Sequence, residues 1–174
     1  MRLMLTTAAV LTIVASIASG QVTKETVPGI TNLSRLETTV ACAGAVTPSA
    51  VAEIKKMGFT AIINLRQPTE QGADIEAEAA AARVAGINFY NIPFNNAAPD
   101  TAAVDRFLQT IVQPGNQPAF IHCASGNRAA AMWMIKRVLI DKWDFDRASE
   151  EATQLGLTSA QLKTFALNYI KAHQ

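Results

Sequence analysis

Cys123 and Arg128 are the residues of this chain whose types and spacing best suit covalent chemistry. They bracket Ala124-Ser125-Gly126-Asn127, a run of small and polar residues between the apolar stretch Pro118 to His122 and the helix-forming run Ala129 to Ile140. A strand, a small-residue loop and a helix in that order gather backbone N–H groups at a helix N-terminus. The partial positive charge there favours a bound oxyanion and a thiolate alike. A thiol in such a setting ionises more readily than a free one, so Cys123 is the expected nucleophile. Arg128 can return across the loop and offer its planar fork to two oxygens of one group. Gly126 permits the tight curvature this requires. The bland alternative for a lone cysteine before a helix is a small buried hydrophobe. The order of elements is what favours the reactive reading.

The rest of the chain reads as alternating strands and helices that would carry this loop. Thr38 to Ala41 is a first strand. Thr47 caps a helix with Pro48 at its first position, running to about Met57 and ended by Gly58. Phe59 to Leu65 is an apolar, β-branched run expected as a buried strand. Ala73 to Ala85 is a helix closed by Gly86, Ile87 to Ile92 the next strand and Pro99 to Val112 the next helix. Pro114-Gly115-Asn116 then turns the chain into the strand leading to Cys123. Two more helices follow, Asp144 to Leu155 and Ser159 to Lys171, the latter opened by Thr158-Ser159-Ala160-Gln161 as a capping box. The alternation predicts an α/β single domain: a small parallel sheet of about four strands with helices on both faces, and ligands at the carboxyl ends of the strands. Trp133, Trp143, Phe145, Phe165 and Tyr169 are expected in the core.

Residues 1–20 read as a secretory signal, with Arg2 as the positive start, Ala8 to Ala18 as the apolar centre and Ala18-Ser19-Gly20 as the cleavage site. The expected product is exported, periplasmic or secreted, with no stable membrane insertion after signal removal. Residues 21–36 read as a polar lead-in and 37–174 as the domain. Without Arg2 the 15 basic residues become 14, matching 14 acidic ones, so nothing attracts nucleic acid or anionic membrane in general. Roughly 154 residues remain, enough for one domain with a real core. Cys42, Cys123, His122 and His173 are the only cysteines and histidines and lack ligand spacing, so no metal and no cofactor is expected. In an oxidising compartment a Cys42–Cys123 disulfide is the competing fate for both thiols.

His122-Cys123 followed by Arg128 resembles the signature of the cysteine-dependent protein tyrosine and dual-specificity phosphatases. The likeness is nearest to the bacterial phosphatase-like domains also found joined to beta-lactamase-like hydrolases. It covers about Ser34 to Ile140, including Ile62-Ile63-Asn64-Leu65-Arg66 and Tyr90-Asn91-Ile92-Pro93-Phe94. It implies hydrolysis of phosphomonoesters, on a phosphorylated protein or a small aryl phosphate, through a phosphocysteine at Cys123. Arg128 would bind the phosphate, with His122, Ala124, Ser125, Gly126, Asn127 and Arg66 as further contacts.

The chain departs from that pattern in three places. Four residues rather than five separate Cys123 from Arg128, as in the bacterial subgroup. Ala129 stands where a hydroxyl usually assists the leaving thiolate. Asn95 or Asn96 stands where the acid loop usually carries aspartate. Asp100 is the closest downstream carboxyl and the candidate general acid, although Pro99-Asp100-Thr101 reads equally well as a helix start. Glu70, Asp74 and Glu76 form a second acid source. Arg66 either touches substrate or neutralises those acids. The rival enzyme is a rhodanese-like sulfurtransferase carrying a persulfide on Cys123, disfavoured by His122 and by the lack of a Gly-His-Ile element. A non-catalytic phosphate-binding module is the remaining alternative.

Overall fold

The computed structural model describes residues 20–174, so the expected signal falls outside the described residues except for Gly20. Six strands form one mixed sheet: β1 (Val22–Val27), β2 (Ile30–Leu36), β3 (Val40–Ala43), β4 (Ala61–Asn64), β5 (Asn88–Asn91) and β6 (Ala119–His122). Their order is β1-β2-β3-β6-β4-β5. The β1/β2 and β2/β3 pairs are antiparallel, and β3/β6, β6/β4 and β4/β5 are parallel.

The expected parallel sheet of about four strands is therefore corrected to a mixed sheet of six strands, in which β2 runs against the other five. The four foreseen strands are the parallel ones. The stretch read as a polar lead-in, residues 21–36, is the β1–β2 hairpin. It is built on an edge, so much of it meets solvent, and Val22, Glu25 and Val27 are only half buried. This polarity hid a strand that backbone pairing supports. The Pro28-Gly29 pair between two β-rich runs is the signal that marks it.

A 3₁₀ turn (Pro48–Ala50) runs into α1 (Val51–Lys56), and α2 spans Ile75–Ala85. These pack on one face of the sheet, where Val51, Ile54 and Ala82 meet Ile62, Phe120 and Leu33. The other face carries α3 (Thr101–Ile111), α4 (Asn127–Leu139), α5 (Phe145–Gln154) and α6 (Ala160–Ala172), whose apolar residues close over Cys42, Ile63 and Ile121. Asp74, Asp100, Asp144 and Ser159 each cap a helix with a side-chain oxygen. The last corrects the capping box: Ser159 takes the Leu162 N–H, while the Gln161 amide donates to the Asn96 carbonyl at 3.1 Å.

Of the expected core aromatics, Trp133 is fully buried, Tyr169 is nearly so, and Trp143, Phe145 and Phe165 pack against the core edge. The central α4 is buried along ten of its residues. It is fixed by Trp133 Nε1 donating to Glu151 at 2.6 Å and by Arg137 pairing with Glu151 at 2.7 Å. Its N-terminus is thereby anchored at the end of β6. No described helix is long and apolar enough to cross a membrane.

Candidate active site

β6 ends at His122 and α4 begins at Asn127, so residues 123–126 form the loop. Gly126 has φ of +99° and occupies the N-cap position of α4, a conformation that a side chain would strain. Its N–H donates to the Cys123 sulfur at 3.1 Å, which sets the sulfur at the N-terminus of a 13-residue helix. Among the described residues, the N–H groups of Ala124, Ser125, Asn127 and Arg128 donate to no protein acceptor. These orphan donors are what an oxyanion at a helix start uses. Ala124 and Ser125 are exposed, while Cys123 is 1% exposed.

The loop is held from the β2–β3 side. Cys123 N–H donates to the Ala43 carbonyl and Ala45 N–H to the Ala124 carbonyl, both at 3.2 Å. The Asn32 amide donates to the Ser125 carbonyl, also at 3.2 Å. This close approach needs Gly44, because a Cβ there would lie 2.3 Å from Thr31 Oγ1 and 3.0 Å from the Ala124 oxygen. Asn127, expected as a phosphate contact, turns its side chain elsewhere. Its Oδ1 accepts the N–H groups of Thr158 and Ser159, each at 2.8 Å, tying the loop to the α5–α6 turn.

Arg128, in the first turn of α4, enters from the opposite flank. Nη1 donates to the carbonyls of Leu65 and Phe94, each at 2.9 Å, and to Glu70 Oε1 at 2.6 Å. Nη2 donates to Glu70 Oε2 at 2.7 Å. The guanidinium has five N–H donors. Among the described residues, Nε and one Nη2 hydrogen have no protein acceptor, so one edge of the fork is left for two oxygens of a ligand. Burial works against the charge of Arg128, but the Glu70 hydrogen bond and the nearby Cys123 sulfur outweigh it and raise its pKa. Burial likewise pushes the Glu70 carboxyl up. Hydrogen bonds from Arg128 and from the Gln67 N–H, with the charges of Arg128 and Arg66, more than offset this and hold it below the usual carboxylate range. An ionised Glu70 clamped in this way is a poor proton donor, which corrects its expected place in the second acid source.

Arg66 is brought to the same corner without facing the loop. Its guanidinium is spent on the Gly72 carbonyl at 3.0 Å, on the Gln71 carbonyl and on Glu70 at 3.5 Å, so it organises the β4–α2 connection. Of its two expected roles, these contacts are those of the neutralising one, and they reach Glu70 but neither Asp74 nor Glu76 among the described residues. His122, expected to contact substrate, is fully buried, with Nε2 2.7 Å from Glu78 Oε1 on α2. Alternation along β6 sends it to the sheet face opposite Cys123. Glu78 Oε2 accepts the Asn64 amide at 2.8 Å, and Asn64 Oδ1 accepts the Arg66 N–H at 2.7 Å. Glu78 and Asn64 were not singled out from sequence. A glutamate among the alanines of α2, pointing to the sheet side, was the available signal.

Asp100 accepts the Ala102 N–H at 2.9 Å and lies 3.6 Å from Arg106. Its bonds are those of a helix cap. Asn95 Oδ1 likewise serves its own loop, through the Ala97 N–H at 2.9 Å. Cys42 and Cys123 are both free thiols. Cys42 sits opposite Ile121 on the neighbouring strand, its thiol pushed well up by burial and by the charges of Cys123 and Glu151.

Comparison with known proteins agrees with this fold. Solved structures share the fold. A DUF442 protein from Shewanella putrefaciens is 18% identical over 83% of this chain and 95% of its own, with a TM-score of 0.69. TpbA of P. aeruginosa is 20% identical over 91% and 94%, with a TM-score of 0.65. The core catalytic domain of a PP-IP phosphatase from S. cerevisiae is 19% identical over 84% and 93%, with a TM-score of 0.66. No curated protein matches the sequence. The family model for the phosphatase-like domain of beta-lactamase hydrolase-like proteins matches residues 32–140, more than half of the chain and including the whole Cys123–Arg128 loop. The chain therefore belongs to that family, within the cysteine-dependent phosphatase superfamily.

Proposed function

We propose that this protein hydrolyses phosphomonoesters through a phosphocysteine intermediate on Cys123. The observation that carries the reading is the division of the Arg128 fork: Glu70 grips one side, and the Nε edge stays open beside a sulfur bonded to a helix N-terminus. The phosphoryl oxygens bind the orphan N–H groups and that edge. The Cys123 thiolate then attacks phosphorus, the ester P–O bond breaks, and the oxygen of the leaving group departs with its electron pair. These donors gain strength as charge develops on the equatorial oxygens. Water next attacks phosphorus, the P–S bond breaks, and inorganic phosphate leaves with the thiolate restored.

Leaving-group protonation is the weakly equipped step. Asp100 is the proposed acid, and its use would require it to leave the α3 cap. With asparagines in the preceding loop, aryl esters are the favoured substrates, because a phenolate with pKa about 10 departs more easily than an alkoxide. Phosphotyrosine in proteins and small aryl phosphates are the proposed substrate class. TpbA, one relative by fold, has been solved with phosphotyrosine. The first 20 residues support export to the periplasm or the medium.

The test is a side-by-side assay of the purified chain lacking residues 1–20. Turnover of p-nitrophenyl phosphate, abolished in Cys123→Ser, supports the reading. Turnover of thiosulfate with cyanide and none of the phosphate ester would assign a sulfurtransferase instead.

A further inference from the structure

A cleft of about 460 Å³ lies on the flank of the loop away from Glu70, between the β1–β2 hairpin and the α5–α6 turn, and shares Ser125 with the loop and Asn127 with the start of α4. Its hairpin wall includes Lys24 and Ser34, which sit directly opposite each other in the β1–β2 register. Lys24 is exposed and, among the described residues, has no ion-pair partner. Ser34 is only 4% exposed, yet its hydroxyl has no hydrogen-bond partner among the described residues. The hydroxyl opens into the cleft, where it can donate to an acceptor. Glu25, the acidic residue of this wall, is taken by Arg35 at 3.0 Å. The cleft thus offers an uncompensated ammonium and a donor, with no aromatic surface on which a ring would stack.

We propose that this cleft is an accessory subsite for a second anionic group of the substrate, adjoining the phosphate held by the loop. The proposal rests on the phosphatase reading and specifies its substrate. The group is a carboxylate or a second phosphoryl group, since both present acceptor oxygens to Lys24 and Ser34. The loop itself carries no cation beyond Arg128, so a second negative charge would find its partner here.

The experiment compares substrate pairs on the purified chain: a phosphotyrosine peptide with glutamate or alanine beside the phosphoresidue, and a sugar bisphosphate against its monophosphate. In the wild type the more anionic member of at least one pair gains about three- to tenfold in kcat/KM, mainly through KM, as one charge-assisted contact would give. Preference within the peptide pair assigns a flanking carboxylate, and preference within the sugar pair a second phosphoryl group. Lys24→Ala removes the preference and Lys24→Glu inverts it, while both leave p-nitrophenyl phosphate turnover unchanged. A wild type that hydrolyses p-nitrophenyl phosphate but discriminates within neither pair overturns the subsite, as does a preference that survives in Lys24→Glu. A wild type inactive on every phosphate ester overturns the phosphatase reading, and the subsite with it.

Discussion

Two glutamates hold two nitrogen-bearing side chains close to the same loop, and they do so in different ways. Glu78 and His122 meet at 2.7 Å with side chains 4% and 0% exposed, on the α2 face of the sheet. Glu70 and Arg128 meet at 2.6 Å at the rim, where the Glu70 side chain is 19% exposed and one edge of the arginine stays open. The sealed pair uses His122 Nε2 and both Glu78 oxygens, the second through Asn64, while His122 Nδ1 is buried without a partner among the described residues. The pair fixes the ends of β4 and β6 to α2 and has no donor aimed at the loop. At the rim the cation is oriented but not exhausted. The contrast teaches that burial and charge alone do not mark a working group here. What separates the two pairs is whether donors are left over on the side where a ligand can arrive.

The comparison is most severely tested by cutting the sealed pair. Glu78→Ala leaves the buried His122 ring and Asn64 amide without their shared partner and is expected to cost about 1–3 kcal/mol for each group in denaturant unfolding. A cost below about 1 kcal/mol, the range of an exposed pair, would show that the pair holds nothing. Arg128→Lys comes next. A point-like ammonium cannot serve Glu70 and two phosphoryl oxygens at once, so turnover of p-nitrophenyl phosphate falls by roughly 10² to 10³. Its melting temperature should fall less than that of Glu78→Ala.

Glu70→Gln sharpens the rim side of the contrast. The amide retains part of the contact, so the rate loss should be smaller, about tenfold, in line with a single charge-assisted hydrogen bond. Its pH signature is more specific. The folded pKa of Glu70 lies below its unfolded value, near 4.3, so its stabilisation is complete above that value and fades as pH falls through the folded pKa. The stability gap between wild type and Glu70→Gln should therefore be constant near neutrality and close on acidification below pH about 4. A gap that widens there would place the wrong charge on Glu70. The smallest effect belongs to Asp100→Asn. Asparagine caps helices as well as aspartate, so unfolding is unchanged and p-nitrophenyl phosphate turnover stays within about twofold. A phosphoserine peptide is slowed more, and equal slowing of both substrates counts against Asp100 as the acid.

Much of this site was legible because its parts are local in sequence. Cys123, Gly126 and Arg128 lie within one strand, loop and helix unit whose order dictates their geometry, and the parallel strands announced themselves as apolar runs. The β1–β2 hairpin was not legible. β1 leaves half its residues exposed and β2 interrupts its buried Ile30, Leu33 and Leu36 with polar residues, so the hydrophobic pattern is weak, and the hairpin's role depends on Asn32 reaching Ser125 across 93 residues of chain. The same holds for His122 and Arg66. Residue type suggested a phosphate contact for both, but strand alternation turned one to Glu78, and the carbonyls of Gln71 and Gly72 captured the other. Asn127 is the first residue of α4, and its side chain serves the α5–α6 turn, a partner 31 residues away.

The central claim is that phosphorus is bonded to Cys123 during turnover. Mixing the purified chain with p-nitrophenyl phosphate, quenching within the first turnover and digesting under conditions that preserve phosphothiol esters tests it directly. The expected result is one phosphoryl group on the peptide containing Cys123, formed at the rate of the initial nitrophenolate release and absent in Cys123→Ser. Turnover without any labelled peptide, or with phosphate on another residue, would contradict the account.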